Sequence, residues 1–168
     1  TMTDRGPDSA GIAIYGQDQK GRTKLTVQSE GGRVDYASLR SDLVISLGSD
    51  ITVKANDTHA VIDVAEDQAQ ELCDLLSEKH AAIRLMSQGD SIEIYKEVGL
   101  PGEVSERFQL PSMAGSHGIG HTRMATESAV TTDGAHPYSA GPDQCLVHNG
   151  SLSNHNSLRR KLIRNGIK

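Results

Sequence analysis

The sequence predicts an α+β fold in a single domain, and three observations predict it. Short runs of alternating apolar and polar residues, separated by turn residues, have the period of half-buried strands. One stretch among them repeats its apolar positions every three to four residues, the spacing of a helix packed on a core. The length, 168 residues, suits one domain.

Taken in order, Arg5-Gly6-Pro7-Asp8 is turn chemistry and feeds a strand from Ser9 to Tyr15. The polar stretch Gly16 to Gly21 reads as a hairpin loop leading to a second strand, Thr23 to Gln28. The pattern then changes, and 35–97 reads as an inserted subdomain. A short helix is expected over Tyr36 to Leu43. Ile51, Val53 and Ala55, then Ala60, Ile62 and Val64, alternate on either side of Asn56-Asp57 and predict a hairpin. Ala65, Ala69, Leu72, Cys73, Leu76 and His80 predict a helix over 66–80, with Glu66 and Asp67 at its positive end and Lys79 at its negative end. Ile83–Leu85 and Ile92–Ile94 flank Gln88-Gly89-Asp90 and predict a second hairpin, so the insert reads as ββαββ around a local core. Residues 99–116, with Pro101 and Pro111, read as a connector. Gly118 to Arg123 reads as a buried strand, Thr131 to Asp143 as a long loop, and Cys145 to His148 as a short strand ending at Asn149-Gly150. Ser153 or Asn154 can cap a final helix that carries Leu158 and Leu162 and stops at Gly166.

Composition excludes several functions. With 22 acidic and 17 basic side chains the net charge is −5, which disfavours nucleic acid as the main partner despite the local cluster Arg159, Arg160, Lys161 and Arg164. Four Tyr, one Phe and no Trp leave the core to aliphatic residues and supply no stacking platform. No apolar run reaches the ~18 residues a membrane span needs, so no membrane role is expected. The first residues lack the apolar stretch of a secretory leader, and Cys73 and Cys145 make no disulfide framework. A cytoplasmic protein is the expectation.

Most catalytic motifs fail. His117, His121, His136, His148 and His155 gather near Cys145 without HExxH or CxxC spacing, so no metal and no cofactor are expected. Ser9 lacks the first glycine of a GxSxG elbow. Cys145, within an apolar run, reads as a small buried hydrophobe. A constellation remains. Arg123 at a strand end offers a planar fork suited to a carboxylate. Asn149-Gly150 offers a side-chain amide beside an unobstructed backbone N–H, the parts of an oxyanion hole, and is equally the common signal of a plain hairpin turn.

Arg5-Gly6-Pro7-Asp8-Ser9-Ala10-Gly11-Ile12, Gly120-His121-Thr122-Arg123-Met124-Ala125-Thr126, Ala135-His136-Pro137-Tyr138 and Leu146-Val147-His148-Asn149-Gly150-Ser151-Leu152-Ser153-Asn154, in that order, resemble the class II glutamine amidotransferase domain, an N-terminal-nucleophile hydrolase. Within that family the chain is similar to the amidotransferase subunit of N-methylglutamate synthase, a glutamate-synthase-like enzyme. The resemblance covers the two ends of the chain and leaves about 30–115 unexplained. It implies an αββα sandwich in which an N-terminal cysteine attacks the side-chain amide of glutamine, forms a thioester, and releases ammonia and then glutamate. It implies that Arg123 holds the glutamine α-carboxylate with Thr126 beside it. Asn149 and Gly150 would form the oxyanion hole, and Arg5 would lie near the nucleophile's amino group. It further implies an oligomeric complex with a synthase subunit or domain, flavin-containing in the glutamate-synthase-like case, that takes the ammonia.

Two departures qualify the match. Only Thr1 to Asp4 precede Arg5, too few to supply the family's cysteine-bearing strand, and Thr1 is not a substitute. The acidic residue that binds the α-amino group in the family is missing beyond Asn149-Gly150. A lesser one is Glu127, where some relatives have histidine. The expectation is an internal fragment, inactive by itself. The alternative is a non-catalytic module retained for assembly or ligand binding.

Overall fold

The computed structural model describes residues 3–48, 50–125, 129–150 and 153–167. Its elements are β1 (Ser9–Tyr15), β2 (Arg22–Ser29), α1 (Tyr36–Leu47), β3 (Thr52–Asn56), β4 (His59–Ala65), α2 (Ala69–Lys79), β5 (Ile83–Gly89), β6 (Ile92–Val98), α3 (Pro101–Arg107), β7 (His117–Arg123), β8 (Tyr138–Gly141), β9 (Gln144–Leu146) and α4 (His155–Arg164). All strand pairs are antiparallel. One sheet has the order β6-β1-β7, a second β3-β4-β2-β5, and β8-β9 form a separate pair. The mixture of helices with antiparallel sheets is α+β.

The sheets stack. Leu25, Val27, Ala60, Ile62 and Val64 on one face of the four-stranded sheet pack against Leu39 and Leu43 of α1 and Leu72 and Leu76 of α2. From the other face, Val61 meets Ala10 and Tyr95 of the three-stranded sheet together with Val104 and Phe108 at the α3 end. Lys24 pairs with Glu93 across this second interface at 3.2 Å. The result is helix, sheet and sheet in successive layers, the layering that two one-sided apolar sheets and amphipathic helices adopt to bury their faces.

Local chemistry explains the element ends. Asp35 caps α1, its carboxylate accepting the N–H groups of Ala37 and Ser38 at 3.1 and 3.3 Å. The bond donated by the Ser38 hydroxyl is the strongest influence, and with the two N–H bonds it holds the Asp35 carboxyl below its usual range. The β3–β4 hairpin forms as expected, around a tight turn in which Asp57 takes φ 55°. The helix expected over 66–80 is Ala69–Lys79, preceded by a 3-10 turn over Glu66–Gln68.

Two hairpin expectations are corrected. β1 and β2 do not pair: β1 lies between β6 and β7, and β2 lies between β4 and β5. β2 is buried at seven of its eight positions, so it needs strands on both edges and cover on both faces. Likewise β5 pairs with β2 and β6 with β1, so Gln88-Gly89-Asp90 leads into a corner between sheets instead of a hairpin. Asp143, from the β8–β9 turn, braces that corner by accepting from the N–H groups of Asp90, Ser91 and Ile92 at 2.8 to 3.0 Å. A side chain at Gly89 would collide with it, a Cβ there standing 2.5 Å from the Asp143 carboxyl carbon. The 35–97 stretch thus supplies strands to both sheets.

Three smaller corrections follow. The connector at 99–116 contains α3, started by Pro101 and by Glu103, whose carboxylate accepts the Leu100 N–H at 3.2 Å. β7 is an edge strand with no buried position, not a buried one, because among the described residues only β1 flanks it. The loop at 131–143 contains β8. The final helix is present as α4, with Asn154 at its N-cap making no side-chain cap bond.

His59 is fully buried between the Tyr95 and Phe108 rings, at 5.8 and 4.7 Å between centroids. Its Nδ1 lies 3.1 Å from the Thr58 hydroxyl. Burial, with a smaller contribution from Arg107, lowers its pKa from 6.5 to about 4. The folded state therefore refuses a proton that the unfolded chain accepts below 6.5. Stability should fall as pH drops from 6.5 towards 4, by about 1.4 kcal/mol per pH unit from this group. Urea midpoints measured between pH 7 and 4 should decline, and His59→Gln should reduce that slope. Identical slopes in the two proteins would exclude the effect.

Candidate active site

Strand register sets the candidate site on one face of the three-stranded sheet. Ser9 stands opposite Val98 of β6 and Arg123 of β7, and Gly11 stands opposite Lys96 and His121. Because side chains alternate along a strand, Ser9, Gly11, Lys96, His121 and Arg123 share a face. The segment from Asp133 to Tyr138 lies over it. Gly11 permits this approach: a Cβ there would stand 2.5 Å from Lys96 Cβ and closer still to the His136 carbonyl oxygen. The His136 ring is 4.4 Å from His121 and 4.6 Å from Tyr138. Gly134 lies against Arg123, where a Cβ would be 3.3 Å from Nη1.

The Arg5–Asp8 turn is bound to the end of β7. The Asp8 N–H donates to the Arg123 carbonyl at 3.1 Å, and the Asp8 carboxylate accepts the Ala125 N–H at 2.7 Å. Gly6 fits where any Cβ would come within 2.7 Å of the Arg123 nitrogen. Two motifs more than a hundred residues apart in sequence are thereby adjacent. Arg5 is exposed and Arg123 is half-buried. Asn149 and Gly150 follow β9 and are exposed, with Gly150 at φ 153° and its Cβ position 3.4 Å from the His148 ring. Thr126 lies outside the described residues.

Charge at this face is positive. Burial, then His121, Arg123, Lys96 and His148 in decreasing order, lowers the His136 pKa to about 4. Burial and then Arg123 lower that of His121. Both rings are therefore neutral at pH 7, while Arg123 supplies a permanent cation. The arrangement can hold an anionic group on the guanidinium and offers two uncharged imidazoles as hydrogen-bond partners. Among the described residues no group of three His, Cys, Asp or Glu could hold a metal ion, and no helix is long and apolar enough to cross a membrane. Cys73 and Cys145 are free thiols.

Lys96 was not among the candidates from sequence, whereas His136 stood in the histidine group and in the Ala135–Tyr138 motif with no role assigned. Lys96 had a readable signal: it continues the apolar stripe of Ile92 and Ile94, so strand alternation puts a cation on an inward face. The place of His136 over the sheet depends on the close approach at Gly11, which sequence does not show. A cavity of about 600 Å³ opens elsewhere, beside Arg84, Glu97 and Arg107, and Arg123 is not among its lining residues.

No family model matches the chain. It is similar, at 59% identity over 167 residues, to the glutamine amidotransferase-like protein GlxB of Rhizobium meliloti, covering 99% of this chain and 55% of that protein. A candidate glutamine amidotransferase of Methanothermobacter thermautotrophicus is 32% identical over 172 residues, covering 96% of this chain and 56% of that one. The isomerizing glutamine--fructose-6-phosphate aminotransferase of Methanococcus maripaludis is 40% identical over 78 residues, covering 46% of this chain and 13% of the enzyme. The chain spans about half the length of the first two relatives. These likenesses support the glutamine amidotransferase family.

Proposed function

We propose that this chain, similar along nearly its whole length to glutamine amidotransferase-like proteins, carries the glutamine site of a class II amidotransferase with an αββα, N-terminal-nucleophile fold. The overall reaction is glutamine plus water to glutamate plus ammonia, and a synthase subunit or domain consumes the ammonia. In this reading the Arg123 guanidinium binds the α-carboxylate, with Thr126 beside it. The Asn149 side-chain amide and the Gly150 N–H stabilise the oxyanion that forms when the glutamine carbonyl is attacked. In the same reading Arg5 lies near the amino group of the nucleophilic cysteine. The finer likeness to the N-methylglutamate synthase subunit, and with it a flavin-containing partner, belongs to the same proposal.

The observation that carries the reading is the junction of the Arg5–Asp8 turn with the end of β7. It supports a site there, because it holds Arg123 at a strand end beside the motif that follows the nucleophile in this family. The direct test is glutamate and ammonia release from glutamine by the full-length protein with its synthase partner. Arg123→Ala should raise KM for glutamine about 10- to 100-fold, the range expected for losing charge-assisted hydrogen bonds. Absence of glutamine hydrolysis in the wild type, or an unchanged KM in the variant, would sink it.

A further inference from the structure

We propose that Lys96 is a positioning residue of the candidate site, its ammonium pinning the Asp133–Tyr138 segment over Gly11 so that Arg123 is presented to a carboxylate. The substrate half of this statement rests on the proposed function; the pinning does not.

Lys96 is 4% exposed, an unusual place for a lysine. Among the described residues no carboxylate forms an ion pair with it, although a buried ammonium is costly unless compensated. The compensation comes from the segment above. Nζ donates to the Ala135 carbonyl at 2.9 Å and to the Asp133 carbonyl at 3.4 Å, and stands 4.7 Å from the centre of the Tyr138 ring. These carbonyls flank Gly134, the residue against which the Arg123 guanidinium rests. The segment is held on its other side too, by the Thr132 hydroxyl on Glu97 and by Arg84, 3.6 Å from the Asp133 carboxylate. Those two contacts lie at its start; Lys96 is what reaches under its middle. An apolar side chain at 96 would fill the space and leave two inward carbonyls without a donor.

The groups facing Lys96 are Asp133, His136 and Tyr138 of the segment and the buried His59 of β4, with His121 and Arg123 on β7 across the Gly11 strand. Burial lowers the Lys96 pKa to about 8, Asp133 opposing in part. The imidazoles of His121 and His136 are already neutral above pH 7, and burial raises the Tyr138 phenol. Deprotonation of Lys96 keeps the hydrogen bonds but removes their charge assistance and the attraction to the ring.

The test compares full-length wild type with K96M and K96R. Hydrogen exchange of peptides spanning 129–140 should be faster in K96M and return towards wild type in K96R, which keeps charge and donors. KM for glutamine should rise about tenfold in K96M with a smaller change in kcat, because the chemistry does not pass through Lys96. The excess of wild-type KM at pH 9 over pH 7 should shrink in K96M. Wild-type exchange and wild-type KM in K96M would overturn the proposal. If K96M fails to fold, K96Q replaces it, and an exchange pattern and KM pH profile equal to wild type would overturn it as well. Wild-type protein that hydrolyses no glutamine would defeat the proposed function, while the exchange comparison would still decide the pinning.

Discussion

Asn149→Ala in the full-length protein is expected to lower kcat for glutamine hydrolysis by about 10²–10³, with KM within a few-fold of wild type. The size follows from losing one preorganised donor to an oxyanion. The asymmetry between kcat and KM follows because the amide bonds the charge that develops during attack and gives little to the ground-state carbonyl. Arg123→Ala, by contrast, should act mainly on KM, since the α-carboxylate is charged before and after the reaction. Steady-state kinetics on both variants separates the roles. An Asn149→Ala protein with wild-type kcat would mean that Asn149-Gly150 is the plain turn that its sequence equally allows, and its exposed place after β9 would then have no catalytic meaning.

The second large effect is structural. Gly11→Val is expected to cost at least the ~1–3 kcal/mol typical of forcing extra carbons into a filled space. The added atoms meet Lys96 on one side and the His136 carbonyl on the other, so either β6 or the 133–138 segment must move. Thermal unfolding should shift down by several degrees, at roughly 2–4 °C per kcal/mol for a chain of this size, and the candidate site should loosen with it. Gly102→Ala is the control. A Cβ at Gly102 meets nothing within 4 Å, and the residue lies in α3, so alanine there should leave stability unchanged or raise it by up to about 1 kcal/mol. Equal losses from the two substitutions would contradict the close approach at Gly11.

The candidate site was legible in sequence as separate motifs, and its order along the chain was enough to suggest a glutamine amidotransferase. Arg123 was readable because its planar fork suits a carboxylate and because it stands in one of the four motifs that carry the resemblance. Lys96 was passed over because it lies in the stretch taken for an insert, although it interrupts an apolar stripe. His136 was singled out within a motif, but its place over the sheet was not legible, because nothing local says that a loop will cross the glycine on the strand face beneath it. The fold shows the same division. The β3–β4 hairpin was legible because its partners are neighbours in sequence. The expected hairpins β1–β2 and β5–β6 failed because both turns carry the chain from one sheet to the other.

By itself the sequence determined most of the strands, the helices α1, α2 and α4, and which chemical groups are available, since these are set by period, turn chemistry and side-chain type within a few residues, while α3 and β8 escaped it. Only the tertiary structure decided which strands pair, that 35–97 feeds both sheets, that Lys96, His121 and the 133–138 segment meet around Gly11, and that the Arg5–Asp8 turn is bound to the end of β7 at Arg123. Alternation states which face a side chain takes but carries no record of the strand beside it. That choice is made by burial summed over the whole chain, β2 with its seven buried positions being the plainest case.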